Sequence, residues 1–391
     1  MKAIDIARFE RPQVTDYQAN PRHCVTPLPR VWLLVGDKSG DNAQVDAIEQ
    51  ALDWPYERKY IHVREPYATA KPRVQASLYH IDASLSAPLQ PPWPDLIITI
   101  GRRLSMVALW IRQQSGGRTK IVLLGKPSGR LQHYDLVIAS AEIQLPPLPN
   151  VLAITLPLMR SHTAAIDTAV ERWRTRFATL PRPLIALLVG GPTGPFVFDT
   201  TVVNRLLKRA AEIVGNDGGT PYITTSRRTP PALVDALQAK LPSGAHLFRW
   251  TPDAADNPYL GLLGLADGFM VTGDSISMMV EVIRLGKPLA IFPLPLGKLG
   301  MLDQFRRSLA RRLFAPATEP MPKRNIRQAL ARAAYHVGLI NQTRDFSAFH
   351  QLLIQQGLAV HADQAFPPPS GQMPDDLSAV IANIKALMGH R

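Results

Sequence analysis

Short, unbroken apolar runs alternating with helical stretches constrain this chain of 391 residues more than any other feature. In the first half the runs fall at 31–35, 95–100, 120–124, 135–139 and 151–155, with helical patterns at 42–52 and 103–114. The second half repeats the style, with runs at 184–189, 221–225, 246–250, 268–272 and 289–292 and helical patterns at 200–214, 231–240, 258–265 and 275–285. An apolar run without polar alternation has no wet face, so it predicts a parallel-sheet strand covered by helices on both sides. Two such blocks predict an α/β protein of two doubly wound domains. The expected divisions are a leader over 1–29, a first domain over 30–160, a linker over 161–183 ending in Pro181-Arg182-Pro183, a second domain over 184–345, and C-terminal helices over 346–391.

Parallel α/β sheets bind ligands at the carboxyl ends of their strands. Four polar motifs stand there, each directly after an expected strand. The fullest is Thr272-Gly273-Asp274-Ser275-Ile276-Ser277-Met278-Met279-Val280-Glu281. Asp274 or Ser275 is expected to cap the helix that follows. A helix start offers unpaired N–H groups and positive potential to a phosphate. Ser277 and Glu281 share one face of that helix, and a carboxylate further along can accept hydrogen bonds from sugar hydroxyls. The combination suits a nucleoside diphosphate; the plainer alternative is an ordinary capped helix with a solvated Glu281.

The motif nearest the N-terminus is Gly36-Asp37-Lys38-Ser39-Gly40-Asp41-Asn42. Its small residues permit a tight turn, and Asp41 or Asn42 is expected to cap the next helix. Asp37 and Asp41 both stand at the cleft, and either suits a base that takes a proton from an acceptor hydroxyl. Asp37 is preferred, because Asp41 already has a capping role. Lys38 can contact an acidic acceptor. In Gly190-Gly191-Pro192-Thr193 the glycines let backbone N–H groups approach a phosphate, and Thr193 adds a hydroxyl. The segment is neither a Walker A loop nor a GxGxxG turn. In Ser226-Arg227-Arg228-Thr229-Pro230 an arginine can grip a diphosphate bidentately and stabilise it as it leaves. Arg227 is preferred over Arg228, with Ser226 beside it.

These segments, in this order over roughly residues 30 to 290, resemble the mitochondrial-fission "elongated mitochondria" protein family and its bacterial relatives, which are regarded as glycosyltransferases. The second half resembles the donor-binding half of GT-B glycosyltransferases. The first turn is also similar to the Gly-acid-x-Ser-Gly-Asp segment of lipid A disaccharide synthase, another GT-B enzyme. The resemblance implies a GT-B-like fold, with two Rossmann-type domains facing a cleft and a C-terminal helix at 375–388 crossing back onto the first domain. It also implies that Asp274, Ser275, Ser277 and Met278 line the donor pocket and that Glu281 binds the ribose. Asn257-Pro258-Tyr259 is a candidate to close the base pocket.

Composition narrows the function. With 46% hydrophobic and 19% charged residues the chain is globular. The single cysteine, Cys24, excludes a disulfide framework and a cysteine-based zinc site, and fits a reducing cytoplasm. A net charge of +13 is compatible with nucleic acid, an anionic membrane or phosphorylated substrates. Arg306, Arg307, Arg311 and Arg312 cluster in one expected helix, followed by Lys323, Arg324, Arg327 and Arg332. They form either a solvated face or a surface that attracts anionic lipid. No nucleic-acid motif or interleaved aromatics accompany them, so no nucleic-acid partner is expected. No apolar run is long enough to span a membrane, and residues 1–30 do not read as a secretory signal. HExxH, Gly-x-Ser-x-Gly and Asp-x-Asp are all missing from the sequence. A metal-independent transferase without a separate cofactor is therefore expected.

The leading expectation is a glycosyltransferase of cell-envelope polysaccharide synthesis, cytoplasmic or peripheral at the inner membrane face. The second domain would hold the nucleotide-sugar, and the first a glycan or lipid-linked saccharide. A nucleotide-sugar 2-epimerase is the second reading; it needs acid/base carboxylates and histidines in the cleft that the sequence does not assign. A non-enzymatic membrane-associated scaffold of the mitochondrial-fission type is the third.

Overall fold

The computed structural model describes residues 28–69, 75–126, 131–159, 163–252, 254–314, 321–337, 340 and 344–389. Almost all of the expected leader, Cys24 included, lies outside them. The first sheet contains β1 (Val31–Val35), β2 (Tyr56–Tyr60), β3 (Leu96–Ile100), β4 (Lys120–Leu124), β5 (Leu136–Ser140) and β6 (Val151–Ile154). Its strands lie in the order β2-β1-β3-β4-β5-β6, all parallel. Helices α1 (Ser39–Ala51), α2 (Glu65–Thr69) and α3 (Arg102–Gln114) belong to this half, and α4 (Thr163–Ala178) leads out of it.

The second sheet contains β7 (Leu184–Leu188), β8 (Thr220–Thr224), β9 (His246–Phe248), β10 (Gly268–Thr272), β11 (Leu289–Phe292) and β12 (Val360–His361). Its order is β12-β11-β10-β7-β8-β9, again all parallel. The helices that follow β7 in the chain are α5 (Thr200–Asp217), α6 (Pro231–Ala239), α7 (Tyr259–Leu265), α8 (Ile276–Arg284), α9 (Lys298–Phe314), α10 (Met321–His336), α11 (Phe346–Gln355) and α12 (Asp376–Leu387). The architecture is GT-B-like: two doubly wound Rossmann-type domains.

Alternate residues of the central strands feed opposite faces, as the strand period requires. In β1, Val31, Leu33 and Val35 pack with Val45 and Ile48 of α1, while Trp32 and Leu34 pack with Val107 and Ile111 of α3. In β7, Leu184, Ala186 and Leu188 face one core and Ile185 and Leu187 the other. Burying each large apolar side chain contributes about 1.5–3 kcal/mol. β2 escapes the sequence pattern because it is an edge strand of sequence Tyr-Glu-Arg-Lys-Tyr, with Lys59 alone buried. The polar edge guards against strand addition from outside.

Two expected divisions change. Residues 163–178 are not a free linker: α4 buries Ile166, Trp173 and Phe177 in the second core. Glycines let it approach α7 closely, since a Cβ on Gly261 would stand 2.7 Å from the Trp173 ring. Nor do residues 346–391 act as one unit. α11 buries Phe346, Phe349 and Leu353 in the second core, and β12 extends the second sheet. α12 instead places Val380 and Ile384 in the first core, where the Asp376 carboxylate accepts from the backbone N–H groups of Thr155 (3.0 Å) and Leu156 (2.9 Å).

In both sheets the chain winds outward in one direction and then returns to wind in the other. The direction reverses between β1 and β3 and between β7 and β10. At such a reversal the loops leave to opposite faces and open a crevice at the strands' carboxyl ends.

Candidate active site at the two strand-end crevices

At the second crevice, loops following β7, β8 and β10 meet around Asp274. This side chain is fully buried. Of the two residues expected at the cap, Ser275 holds the position, without a side-chain hydrogen bond to the helix. The Asp274 carboxylate instead ties the three loops together. It accepts from Thr272 Oγ1 (2.7 Å), the Gly191 N–H (3.0 Å) and Ser275 Oγ (3.3 Å), and forms an ion pair with Arg228 Nη2 at 3.1 Å. The Gly190 N–H donates to Thr272 Oγ1 at 2.9 Å. The N–H groups of Gly190 and Gly191 are therefore engaged inside the protein and not presented to a phosphate. These glycines serve close packing: a Cβ at either would fall 2.2 Å from its neighbour.

The arginine in this cluster is Arg228, not Arg227. Besides Asp274, its guanidinium donates to Ser275 Oγ (3.3 Å) and Thr193 Oγ1, while 43% of its side chain remains exposed. A compact turn aims it: the Ser226 N–H donates to Thr229 Oγ1 (2.9 Å), and Thr229 Oγ1 donates to the Gly190 carbonyl (2.5 Å). Arg227 is exposed.

Along α8, Ser277 is exposed and Met278 half-buried, while Glu281 accepts from the Tyr259 hydroxyl at 2.7 Å. Burial and the Glu281 charge push the Tyr259 phenol well above its ordinary pKa, so it stays a hydrogen-bond donor. Tyr259 begins α7 and braces Glu281 from within the protein. His350 of α11 enters the same region and donates from Nε2 to the Gly273 carbonyl at 2.9 Å. Burial lowers its pKa to about 4, leaving a neutral imidazole near neutral pH.

At the first crevice, Asn42 clips the strand end: its amide accepts from the Gly36 N–H (3.1 Å) and donates to the Gly36 carbonyl (2.7 Å). α1 starts at Ser39 with Lys38 in the cap position, which places Asp41 inside the first turn and not at the cap. Burial raises the Asp41 pKa, an effect partly offset by the charges of Lys38, Arg344 and Arg103. Gly101, whose φ of 81° suits glycine, lets the β3–α3 turn pass over Asp41. Asp37 is 42% exposed, accepts from the Tyr60 hydroxyl at 2.8 Å and lies 3.3 Å from His62 Nδ1. The two carboxyls thus differ: burial makes Asp41 more basic than an ordinary aspartate, while Asp37 is exposed and accepts from Tyr60.

The pattern reading missed Tyr60, His62, Arg103, Arg344 and His350. Tyr60 ends the unrecognised edge strand and His62 follows it. Arg344 precedes α11 and His350 lies within it: the charge of Arg344 acts on Asp41, and His350 holds the strand end at Gly273. The arginine cluster of α9 is also no uniform solvated face. Arg307 is buried, and Arg311 pairs with the buried Asp345 at 2.8 Å.

Two parallel sheets, each reversing winding beside a loop cluster, define the class as GT-B-like. Within it, the chain belongs to the Mitochondrial fission ELM1 family, whose model matches residues 39–336. Mitochondrial fission protein ELM1 of Arabidopsis thaliana is 26% identical over 220 residues, 51% of this chain and 51% of that protein. The chain thus spans about half the length of that relative. An uncharacterized protein of Rickettsia prowazekii is 22% identical over 297 residues, covering 67% of this chain and 82% of its own. Among solved structures, MurG of Acinetobacter baumannii aligns at 13% identity with a TM-score of 0.41, over 92% of this chain and 100% of that one. The UDP-GlcNAc 2-epimerase of Methanocaldococcus jannaschii aligns at 9% identity with a TM-score of 0.45, over 91% and 99%. The fold assignment rests on the strand orders and not on these superpositions.

Proposed function

We propose that the protein is a GT-B type glycosyltransferase that moves a sugar from a nucleotide-sugar to a glycan or lipid-linked saccharide. The supporting observation is the half-exposed Arg228 guanidinium, held by the buried Asp274 beside the uncapped start of α8. A cation fixed next to unpaired first-turn N–H groups is a receptor for a diphosphate. Glu281, braced by Tyr259, is positioned to accept hydrogen bonds from ribose hydroxyls.

In the reaction, Asp41 takes the proton of the acceptor hydroxyl as that oxygen bonds to the anomeric carbon. The bond from that carbon to the diphosphate breaks, and its electron pair leaves with the phosphate oxygen. Arg228 and the α8 amides stabilise the departing charge. Lys38, Arg103 and Arg344 make the acceptor side cationic, which favours an acidic or phosphate-bearing acceptor. Envelope polysaccharide synthesis is the process that suits such an acceptor.

Calorimetric titration with UDP, GDP, CMP, ADP and their sugars tests the donor site. One nucleotide is expected to bind, and Arg228→Ala or Glu281→Ala to weaken it by about tenfold or more, the loss of a hydrogen bond to a charged group. If no nucleotide binds the folded protein, the transferase reading fails and the scaffold reading takes its place.

A further inference from the structure

An amphipathic helix normally buries its apolar face, yet α10 exposes one. Among its described residues Ala331 and Tyr335 are buried, and Tyr335 packs into the first domain's core. On the opposite side Ile326, Ala329, Leu330, Ala333 and Val337 all face solvent. Their spacing of three and four residues makes one continuous stripe. Ile326 is 63% exposed, Leu330 56% and Val337 77%, and Phe305 on the neighbouring α9 is 74% exposed. A contiguous apolar patch of this kind marks an interaction surface.

Its charge identifies the occupant. Residues 298–336 carry nine Lys and Arg but two acids, Asp303 and Glu319. Arg306 and Arg312 on α9 and Arg332 on α10 are exposed. We infer that the α9–α10 hairpin docks on an anionic lipid surface, with the apolar stripe entering the headgroup boundary and the arginines meeting lipid phosphates. A second copy of the chain fits poorly, because it would bring two strongly cationic faces together. The inference rests on this surface alone and holds whatever group the protein transfers. It also has a geometric consequence. The hairpin is rooted where Gln144 donates to the Arg307 carbonyl (3.4 Å) and Arg311 pairs with Asp345 (2.8 Å). Asp345 follows Arg344, whose charge acts on Asp41. Docking would hold the first crevice close to the membrane.

Flotation with vesicles of phosphatidylcholine, alone or mixed with phosphatidylglycerol, is the test. The wild-type chain is expected to float with the mixed vesicles, less so as salt rises, and poorly with the neutral ones. Ile326→Ser/Leu330→Ser should abolish flotation. Arg312→Ala and Arg332→Ala should each weaken binding about fivefold. Val197→Ser, which alters an exposed apolar residue elsewhere, should leave it unchanged, and unfolding midpoints should match the wild type throughout. Failure of the wild type to float, or equal flotation of Ile326→Ser/Leu330→Ser, overturns the inference. Concentration-dependent dimerisation lost in that double variant, without vesicle binding, would overturn it in favour of a second copy.

Discussion

The strand ends of the two sheets are built in opposite ways. Around Asp274 the loops are packed until a methyl group does not fit: a Cβ on Gly191 would stand 2.2 Å from the Arg228 carbonyl oxygen. Around Asp41 there is room, and a Cβ on Gly40 would meet nothing within 4 Å. The second crevice is organised before any ligand arrives, so a ligand loses little free energy in ordering it. The first leaves Asp37 and Lys38 exposed. A fixed donor site facing an adaptable acceptor site is the arrangement the proposed transfer needs.

The contrast can be broken at several points. The largest expected effect is on turnover: Asp41→Asn should lower transfer about a thousandfold, some 4 kcal/mol of barrier, whereas Asp37→Asn should stay within about threefold of wild type. A transfer assay with the donor identified by calorimetry measures both, and the opposite ranking would return the base to Asp37. Next is packing. Gly191→Ala should destabilise the fold by about 3 kcal/mol through overpacking. Gly40→Ala, in the first turn of α1, should stabilise it by about 0.5–1 kcal/mol. Urea unfolding distinguishes them, and equal effects would remove the difference between the crevices.

Acid should loosen the second crevice through His350. Its folded pKa of about 4 lies below the 6.5 of an ordinary histidine, so between these values the unfolded chain binds more protons. Stability is then full above about pH 6.5 and falls as the pH drops toward 4, by about 3 kcal/mol. Unfolding midpoints against pH should show this slope, and His350→Gln should flatten it. The smallest effect is expected at Tyr259. Loss of its hydroxyl in Tyr259→Phe should weaken nucleotide binding about fivefold, near 1 kcal/mol, by leaving Glu281 without its brace; unchanged affinity would remove Glu281 from the ribose site.

Much of the fold was legible because a strand covered on both faces has an unambiguous composition. The expected runs at 31–35, 120–124, 268–272 and 289–292 coincide with β1, β4, β10 and β11. β2 was not legible, since an edge strand shares its polar composition with loops. Site details failed for similar reasons. Arg227 and Arg228 are chemically identical, and only the folded turn brings Arg228 to Asp274 and Ser275. Asp274 reads as a cap because its donors, Thr272 and Gly191, are recognisable only once β7 and β10 lie side by side. His350 stands in no motif; 77 residues separate it from the carbonyl it holds.

By itself, then, the sequence determined two blocks of parallel strands and the placement of the polar motifs at their carboxyl ends. Those follow from local pattern, because period and apolar continuity report burial. Only the tertiary structure decided the strand order. That order puts the crevices between β1 and β3 and between β7 and β10, shields Asp41 more than Asp37, brings Arg228 to Asp274, and turns the apolar stripe of α10 to solvent. The physical reason is that a strand's composition states that it has neighbours but not which ones. That choice is made by side chains from distant parts of the chain filling one core together.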